Sequence, residues 1–132
     1  MAEYVDAAVQ NMEKPVILAV DDKPELLTAI ASILESEFKV IAVTSGRAAL
    51  NVLEKRTPRL FLLDIEMPRM DGYELAKVIR RQKRFESAPI IFLTGKSTRN
   101  DVVAAIKNGG NDYLLKPVEK ELLLGKIQKY LG

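Results

Sequence analysis

The sequence contains no cysteine and no histidine among its 132 residues. Without cysteine, disulfide bonds and thiolate chemistry are excluded, and without either residue the usual zinc sites are excluded too. The absence of histidine also excludes a histidine general base and a Ser-His-Asp triad. Any chemistry must therefore use carboxylates, lysine, tyrosine, hydroxyl groups or a hard metal ion bound by oxygen atoms.

Excess charge and long apolar runs are also missing. The net charge is +2, which is too close to neutral to indicate nucleic acid or an acidic membrane as the main partner. No apolar run is long enough to span a bilayer, and the acidic N-terminus has no apolar segment of the signal-peptide type. We therefore expect a soluble, cytoplasmic protein that does not bind nucleic acid or membrane directly.

Short apolar runs alternate with stretches of helical spacing along most of the chain. The runs cover residues 16–20, 38–43, 60–63, 89–93 and 112–115. Such uninterrupted runs indicate strands buried on both faces, as in a parallel sheet. Each run is followed by a stretch with apolar residues at helical spacing, which gives five predicted helices. The fourth apolar stripe is Val102, Val103 and Ile106, and the fifth is Leu122, Leu123, Ile127 and Tyr130. The pattern predicts a doubly wound α/β domain over residues 15–132, with helices on both faces of the sheet. Residues 1–14 are predicted to form a tail or a short extra helix.

Chemically active side chains follow the predicted strands at one end of the sheet. Ligands of an open parallel sheet bind beyond the carboxyl ends of its strands. The residues found there are Asp21, Asp22, Asp64, Thr94 and Lys116. Three clustered carboxylates repel each other and need a cation to remain ionised together. With only oxygen ligands available, Mg²⁺ is the expected cation and Mn²⁺ the alternative.

This group of residues suits phosphoryl chemistry. A carboxylate can act as the nucleophile and form an aspartyl phosphate. A lysine offsets charge on the phosphoryl oxygens, and a threonine hydroxyl can donate a hydrogen bond to one of them. Taken singly, each residue also has a structural explanation. Asp22 and Glu25 fit a capping box for the first helix, as Asp71 and Glu74 do for the third.

Four segments resemble the receiver domain of two-component response regulators, and together they extend the resemblance over about residues 15–131. They are Val20-Asp21-Asp22, residues 63–72 with Asp64 and the sequence Met-Pro-Arg-Met-Asp-Gly, residues 92–95 with Thr94, and residues 109–117 with Lys116-Pro117. The aspartate pair alone is weak support. The Asp-x-x-Met-Pro-x-Met-Asp-Gly pattern followed by Lys-Pro is specific. The resemblance implies a flavodoxin-like sheet with strand order 2-1-3-4-5.

The resemblance also assigns roles to individual residues. It implies that Asp64 is the phosphoacceptor and that Asp22 and Asp64 bind Mg²⁺ through their side chains. Asp21 would act mainly through water, and the backbone carbonyl of Glu66 would supply a further ligand. Lys116 would bind the phosphoryl group.

The same resemblance implies a switch, and from the movement of that switch we expect an output surface. Thr94 would be the switch hydroxyl, Tyr113 the switch aromatic, and the bond between Lys116 and Pro117 would be cis. Phosphorylation would remodel the face built from helix 4, strand 5 and helix 5, approximately residues 98–108 and 112–131. Glu66 and Lys96 stand two positions after Asp64 and Thr94, and we expect them to tune the phosphoryl lifetime. At Gly95 and Gly110 the family often has alanine.

The expected partners follow from this function. A histidine kinase or a phosphotransfer protein would supply the phosphoryl group. A downstream effector domain or protein, or a second copy in a homodimer, would read the output face. The domain would catalyse only its own phosphorylation and dephosphorylation, and so would not be an enzyme in the usual sense.

Other functions stay open at this stage. A phosphohydrolase of the haloacid dehalogenase type also uses an aspartate nucleophile and Mg²⁺. It would need an Asp-x-Asp pair after the first strand, where this chain has Asp21-Asp22-Lys23. A flavodoxin-like binding module would need a phosphate loop rich in glycine and hydroxyl groups there. A receiver-like binding module that works without phosphorylation is the third alternative, and the complete acidic set argues against it.

Overall fold

In the part of the chain that the structure describes, five strands alternate with five α-helices, and one short 3₁₀ helix is present. The computed structural model describes residues 14–95 and 99–132, without the side chain of Arg99. The strands are β1 (Val16–Val20), β2 (Lys39–Val43), β3 (Leu60–Asp64), β4 (Ile90–Thr94) and β5 (Asp112–Leu115). The helices are α1 (Pro24–Leu34), α2 (Gly46–Leu53), α3 (Gly72–Arg81), α4 (Arg99–Lys107) and α5 (Lys120–Leu131), and the 3₁₀ helix is Lys83–Phe85. Residues 1–13 of the predicted tail lie outside the described ranges.

All five strands are parallel, and their order is β2-β1-β3-β4-β5. The order reverses at β1, which pairs with both β2 and β3, so that Val20 lies between Val43 and Leu63. Parallel strands bring all their carboxyl ends to one edge of the sheet. The doubly wound fold and its strand order are therefore confirmed.

Within the described ranges, the apolar core forms two clusters, one on each face of the sheet. The cluster under α2, α3 and α4 includes the buried rings of Phe61, Phe85 and Phe92. The cluster under α1 and α5 includes buried aliphatic residues of both helices, such as Leu27 and Ile30 of α1. Burial of this much apolar side chain on both faces stabilises the three central strands.

The two edge strands are less buried than their apolar runs predicted. Every residue of β3 and β4 is buried. No residue of β2 is fully buried, and in β5 only Leu114 is. The prediction of burial on both faces is thus wrong for β2 and β5, because the helices cover the edges of the sheet less completely than its centre.

Two of the predicted apolar stripes are also only partly correct. In α4, Val103 is 40% exposed and Ile106 61% exposed, whereas the small side chain of Ala105 is buried. In α5, Leu122 is 54% exposed, while Leu123 and Ile127 are buried as predicted. The helix α4 contacts the core through the small side chain of Ala105, while Val102 is partly buried and Val103 and Ile106 turn away from the sheet. Among the helices of the described ranges, none is long and apolar enough to cross a membrane.

The N-terminal caps of α1 and α3 test the two predicted capping boxes. Asp71 and Glu74 form the predicted capping box at the start of α3. The capping box predicted for Asp22 and Glu25 is wrong, because α1 begins at Pro24 and its N-cap is Lys23, which makes no side-chain cap. Asp22 is therefore not needed to start the helix.

Candidate functional site

The buried polar side chains of the described residues lie at the carboxyl edge of the sheet. Asp21, Asp64 and Thr94 are each less than a tenth exposed, and they belong to the ends of three adjacent strands. Asp64 is the last residue of β3 and Thr94 the last of β4. Asp21 follows β1, and its backbone N–H donates to the carbonyl of Val43. The sheet itself therefore holds these groups in place.

Asp22 joins the two buried aspartates in one carboxylate cluster. Asp21, Asp22 and Asp64 each present an oxygen, and these oxygens all lie within 4.8 Å of one another. Oδ2 of Asp64 is buried and has no hydrogen-bond partner among the described residues. A buried carboxylate oxygen without a partner is costly unless a ligand meets it. Three hard oxygen donors at this spacing fit a divalent cation of the Mg²⁺ type.

Lys116 reaches this cluster from the end of β5. Its ammonium nitrogen lies 2.8 Å from Oδ2 of Asp21 and 3.0 Å from Oδ1 of Asp64. Burial by itself would lower the pKa of Lys116, but its contacts with the two carboxylates outweigh that effect and raise the pKa. The side chain therefore carries a positive charge next to Asp64.

The carboxyl group of Asp64 has a raised pKa. Burial is the largest cause; the nearby charge of Asp21 adds to it, while the hydrogen bond from Lys116 opposes it. The amide of Glu66 also donates to Oδ1 of Asp64, at 3.3 Å. Ionised Asp64 is thus a carboxylate that is poorly solvated and repelled by a neighbour, and an added cation would stabilise it.

The loop after Asp64 returns closely past the site. A Cβ atom on Gly72 would lie only 2.3 Å from the backbone carbonyl oxygen of Asp64, so this position has room only for glycine. Arg69 has a φ of 70°, in the left-handed region that few non-glycine residues adopt. The amide of Met70 donates to the carbonyl of Pro68 across it, at 2.8 Å. This tight turn brings α3 back against the end of β3.

The two predicted switch residues lie on neighbouring strands. Thr94 pairs with Leu115 in the register of β4 and β5, and Tyr113 pairs with Phe92. Tyr113 is half-buried and packs against the core under α2, α3 and α4. The carbonyl of Thr94 accepts from the amide of Lys116, and the bond between Lys116 and Pro117 is cis.

Of the two residues expected to tune the phosphoryl lifetime, one lies in the described ranges. Glu66 is exposed beside the carboxylate cluster. Lys96 lies outside the described residues. The expected pairing of these two charges therefore stays a prediction.

A second polar group lies beside Tyr113, and the sequence patterns did not reveal it. Asp112, Lys126 and Tyr130 meet where the amino end of β5 faces α5. Lys126 and Tyr130 are four residues apart in one helix, a spacing that places them on the same face. This helical spacing, and the presence of Asp112 at the start of β5, were the features of the sequence that could have indicated the group.

Comparison with known proteins agrees with this geometry. Residues 17–128 match the response regulator receiver domain family. An uncharacterized 14.6 kDa protein from the sodA1 3′ region of Leptolyngbya boryana is 37% identical over 123 residues, covering 92% of this chain and 94% of that protein. Other curated relatives are longer, and the chain spans only 28%, 13% and 51% of three of them.

Solved structures show the same architecture. A putative response regulator from Chloroflexus aurantiacus matches with a TM-score of 0.85 and 29% identity, covering 90% of this chain and 98% of that one. The receiver domain of the sensor histidine kinase PA1611 of Pseudomonas aeruginosa matches with a TM-score of 0.80 and 32% identity, covering 89% of this chain and 97% of that one. None of these similarities supports the phosphohydrolase alternative. The chain belongs to the response regulator receiver domain family.

Proposed function

We propose that this chain accepts a phosphoryl group on Asp64 in a Mg²⁺-dependent reaction and transmits that event as a change of shape. The observation that carries the proposal is the setting of the Asp64 carboxylate. One of its oxygens contacts the ammonium of Lys116, and the other is buried without a partner among the described residues. A nucleophilic carboxylate needs this combination of a fixed position and an oxygen left available for reaction.

The carboxylate cluster supplies the metal site. Asp22 and Asp64 would bind Mg²⁺ through their side chains, Asp21 mainly through water, and Glu66 through its backbone carbonyl. The solved receiver domain of PA1611 is described with a magnesium ion coordinated in its active site cleft, and this similarity supports the assignment. When bound, Mg²⁺ neutralises charge on the carboxylates and on the phosphoryl oxygens. Mn²⁺ would serve the same purpose.

The residues of the chain perform the remaining steps. An oxygen of Asp64 attacks the phosphorus of a phosphohistidine in line with the bond to the imidazole nitrogen. The new P–O bond forms as the P–N bond breaks, and the leaving imidazole keeps the electron pair and takes up a proton. Lys116 offsets the charge on the phosphoryl oxygens, and the hydroxyl of Thr94 donates a hydrogen bond to one of them. Positioning and electrostatics carry most of the catalysis, as in other phosphoryl transfers.

The change of shape begins at Thr94. When its hydroxyl turns towards the phosphoryl group, space opens beside β5 and the ring of Tyr113 moves inward. The face formed by α4, β5 and α5 then changes shape. This face carries the four large apolar side chains that are well exposed in the described ranges, namely Val103, Ile106, Leu115 and Leu122. Apolar side chains exposed together indicate a surface for partners.

The partners proposed for this surface are an effector domain or protein, or a second copy of the chain. The phosphodonor is a histidine kinase or a phosphotransfer protein. Several relatives are named as sensor histidine kinases or DNA-binding response regulators, which supports both assignments. The domain itself binds neither nucleic acid nor membrane, and it works in the cytoplasm. It is a signalling phosphoacceptor rather than an enzyme of external substrates.

A direct experiment tests the phosphoacceptor. The protein is incubated with phosphoramidate, with and without Mg²⁺, and intact-mass spectrometry counts the phosphoryl groups. We expect one group on the wild type only when Mg²⁺ is present, and none on Asp64→Asn. Asp71→Asn is the matched control, because it removes a carboxylate from the same loop while an asparagine still caps α3. Full phosphorylation of Asp64→Asn would show that the assignment is wrong.

A further inference from the structure

The carboxylate of Asp112 organises the start of β5. Its Oδ1 accepts from the ammonium of Lys126 and from the backbone amide of Tyr113, each at 2.8 Å. Burial by itself would raise the pKa of Asp112, but the hydrogen bonds from Lys126 and the Tyr113 amide outweigh it and lower the pKa. The pair is therefore charged, and it ties α5 to the strand that bears Tyr113.

Tyr130 strengthens this connection from the next turn of α5. Its hydroxyl lies 3.1 Å from Oδ2 of Asp112 and 3.0 Å from the carbonyl oxygen of Asn111. Both oxygens of Asp112 thus have partners from α5. A carboxylate bound on both sides cannot rotate freely, and the ammonium that it binds is held with it.

The same ammonium also faces the ring of Tyr113. Nζ of Lys126 lies 5.7 Å from the centre of that ring, within the range of a cation–π interaction. Asp112 and Tyr113 are consecutive residues of a strand, and their side chains leave opposite faces of the sheet. Lys126 contacts both because β5 is an edge strand of the described sheet, so no further strand of that sheet stands between the two faces.

We propose that Lys126 is a positioning residue for Tyr113: its ammonium, held by Asp112, stabilises the ring in the position seen in this structure. The inference rests on the proposed function, in which Tyr113 moves inward after phosphorylation. Lys126 contacts the ring from the open edge of β5, so a movement of the ring inward from that edge should take it away from the ammonium. Lys126 therefore opposes the phosphorylated shape, and by reciprocity it weakens the binding of a phosphoryl group at Asp64.

The test measures the affinity of the protein for beryllofluoride, a phosphoryl mimic, in the presence of Mg²⁺ by isothermal titration calorimetry. Lys126→Met keeps the apolar stem and removes the charge. We expect it to bind the mimic about two to five times more tightly, the factor that corresponds to a cation–π interaction at a partly exposed site. Lys126→Arg retains a cation and should return the affinity to the wild-type value.

A double-mutant cycle separates positioning of Tyr113 from a general structural role. In the Tyr113→Leu background the ring is absent, so Lys126→Met should no longer change the affinity. Lys129→Met is the matched control, because its ammonium lies 5.2 Å from the ring centre of a different tyrosine, Tyr130. We expect wild-type affinity for that variant.

The outcomes distinguish this inference from the proposed function. If the wild type does not bind the mimic, the phosphoacceptor proposal fails. If the wild type binds it and Lys126→Met binds it equally well, the positioning role fails while the phosphoacceptor proposal stands. A gain in affinity that persists in the Tyr113→Leu background would also overturn the positioning role.

Discussion

The ammonium nitrogen of Lys116 lies 3.0 Å from Oδ1 of Asp64, although 52 positions separate the two residues in the chain. The contact joins the ends of β3 and β5, which have β4 between them. It places a positive charge beside a carboxylate whose pKa is raised by burial and by the charge of Asp21. The stability of this edge of the sheet therefore depends on the cations that lie next to the buried carboxylates of Asp21 and Asp64.

Replacing Lys116 by methionine should destabilise the protein. Asp21 and Asp64 would then face each other without a cation, and we expect a loss of about 1 to 3 kcal/mol in the free energy of unfolding. Added Mg²⁺ should restore part of that loss, because it would neutralise the same carboxylates. Urea unfolding with and without Mg²⁺ measures both effects. Lys120→Met, at an exposed position of α5, is the control and should change stability little.

Mg²⁺ should stabilise the wild type more than Asp64→Asn. A ligand that binds only the folded state adds about 1.4 kcal/mol when its concentration is about ten times its dissociation constant. The asparagine variant lacks one of the three carboxylates and should bind the ion more weakly. Thermal unfolding across a Mg²⁺ titration gives the comparison. Equal stabilisation of both proteins would contradict the placement of the ion at Asp64.

Gly72→Ala should damage the site through the backbone. The added methyl group would lie 2.3 Å from the carbonyl oxygen of Asp64, so either α3 or the end of β3 must move. We expect a loss of about 1 to 3 kcal/mol in stability and slower phosphorylation by phosphoramidate. At Gly125, in α5, a methyl group would meet nothing within 4 Å. Gly125→Ala should instead stabilise the helix by about 0.5 to 1 kcal/mol.

Gly110→Ala and Gly95→Ala should differ in stability, although the family often has alanine at both positions. A Cβ atom at Gly110 would lie 2.4 Å from the ring of Phe92, which is buried and packs edge-on against Tyr73. At Gly95 it would meet nothing within 4 Å. We therefore expect Gly110→Ala to cost about 1 to 3 kcal/mol and Gly95→Ala to be close to neutral. Chemical denaturation of the two variants decides this, and equal stability would show that Phe92 moves without cost.

Asp112→Asn should lower stability in a pH-dependent way. The pKa of Asp112 is lowered in the folded state, so its charge stabilises the fold above the ordinary aspartate pKa. That contribution disappears as the pH falls through the lowered value. We expect the variant to be about 1 kcal/mol less stable at neutral pH, with the difference shrinking in acid. A difference that stayed constant across this range would mean that the charge of Asp112 is not involved.

Local sequence signals predicted the architecture well because they act over short distances. The apolar runs and helical stripes specified five strands and five helices, and the capping box at Asp71 and Glu74 marked the start of α3. The capping box predicted at Asp22 and Glu25 failed. Pro24 occupies the first turn of α1, and the chain before it stays extended, so Lys23 became the N-cap.

The candidate site was predicted as a set of residues but not as a geometry. Strand ends in a parallel sheet must meet at one edge, which is why Asp21, Asp64 and Lys116 were expected together. The sequence did not predict the distances between these side chains, the burial of Oδ2 of Asp64 or the raised pKa of Asp64. These properties depend on how deeply the surrounding residues bury each strand end. The exposure of Val103 and Ile106 was missed for the same reason, since periodicity does not show which apolar residues find a partner.

By itself, the sequence determined the types of secondary structure, the parallel sheet and the identity of the acids, hydroxyl and lysine at its carboxyl edge. Each of these depends on residue type and spacing within a few turns or one strand. Only the tertiary structure decided that Lys126 meets both Asp112 and the ring of Tyr113. That contact requires α5 to lie along the open edge of β5, and the position of a helix against an edge strand is set by packing of the whole core rather than by any local pattern.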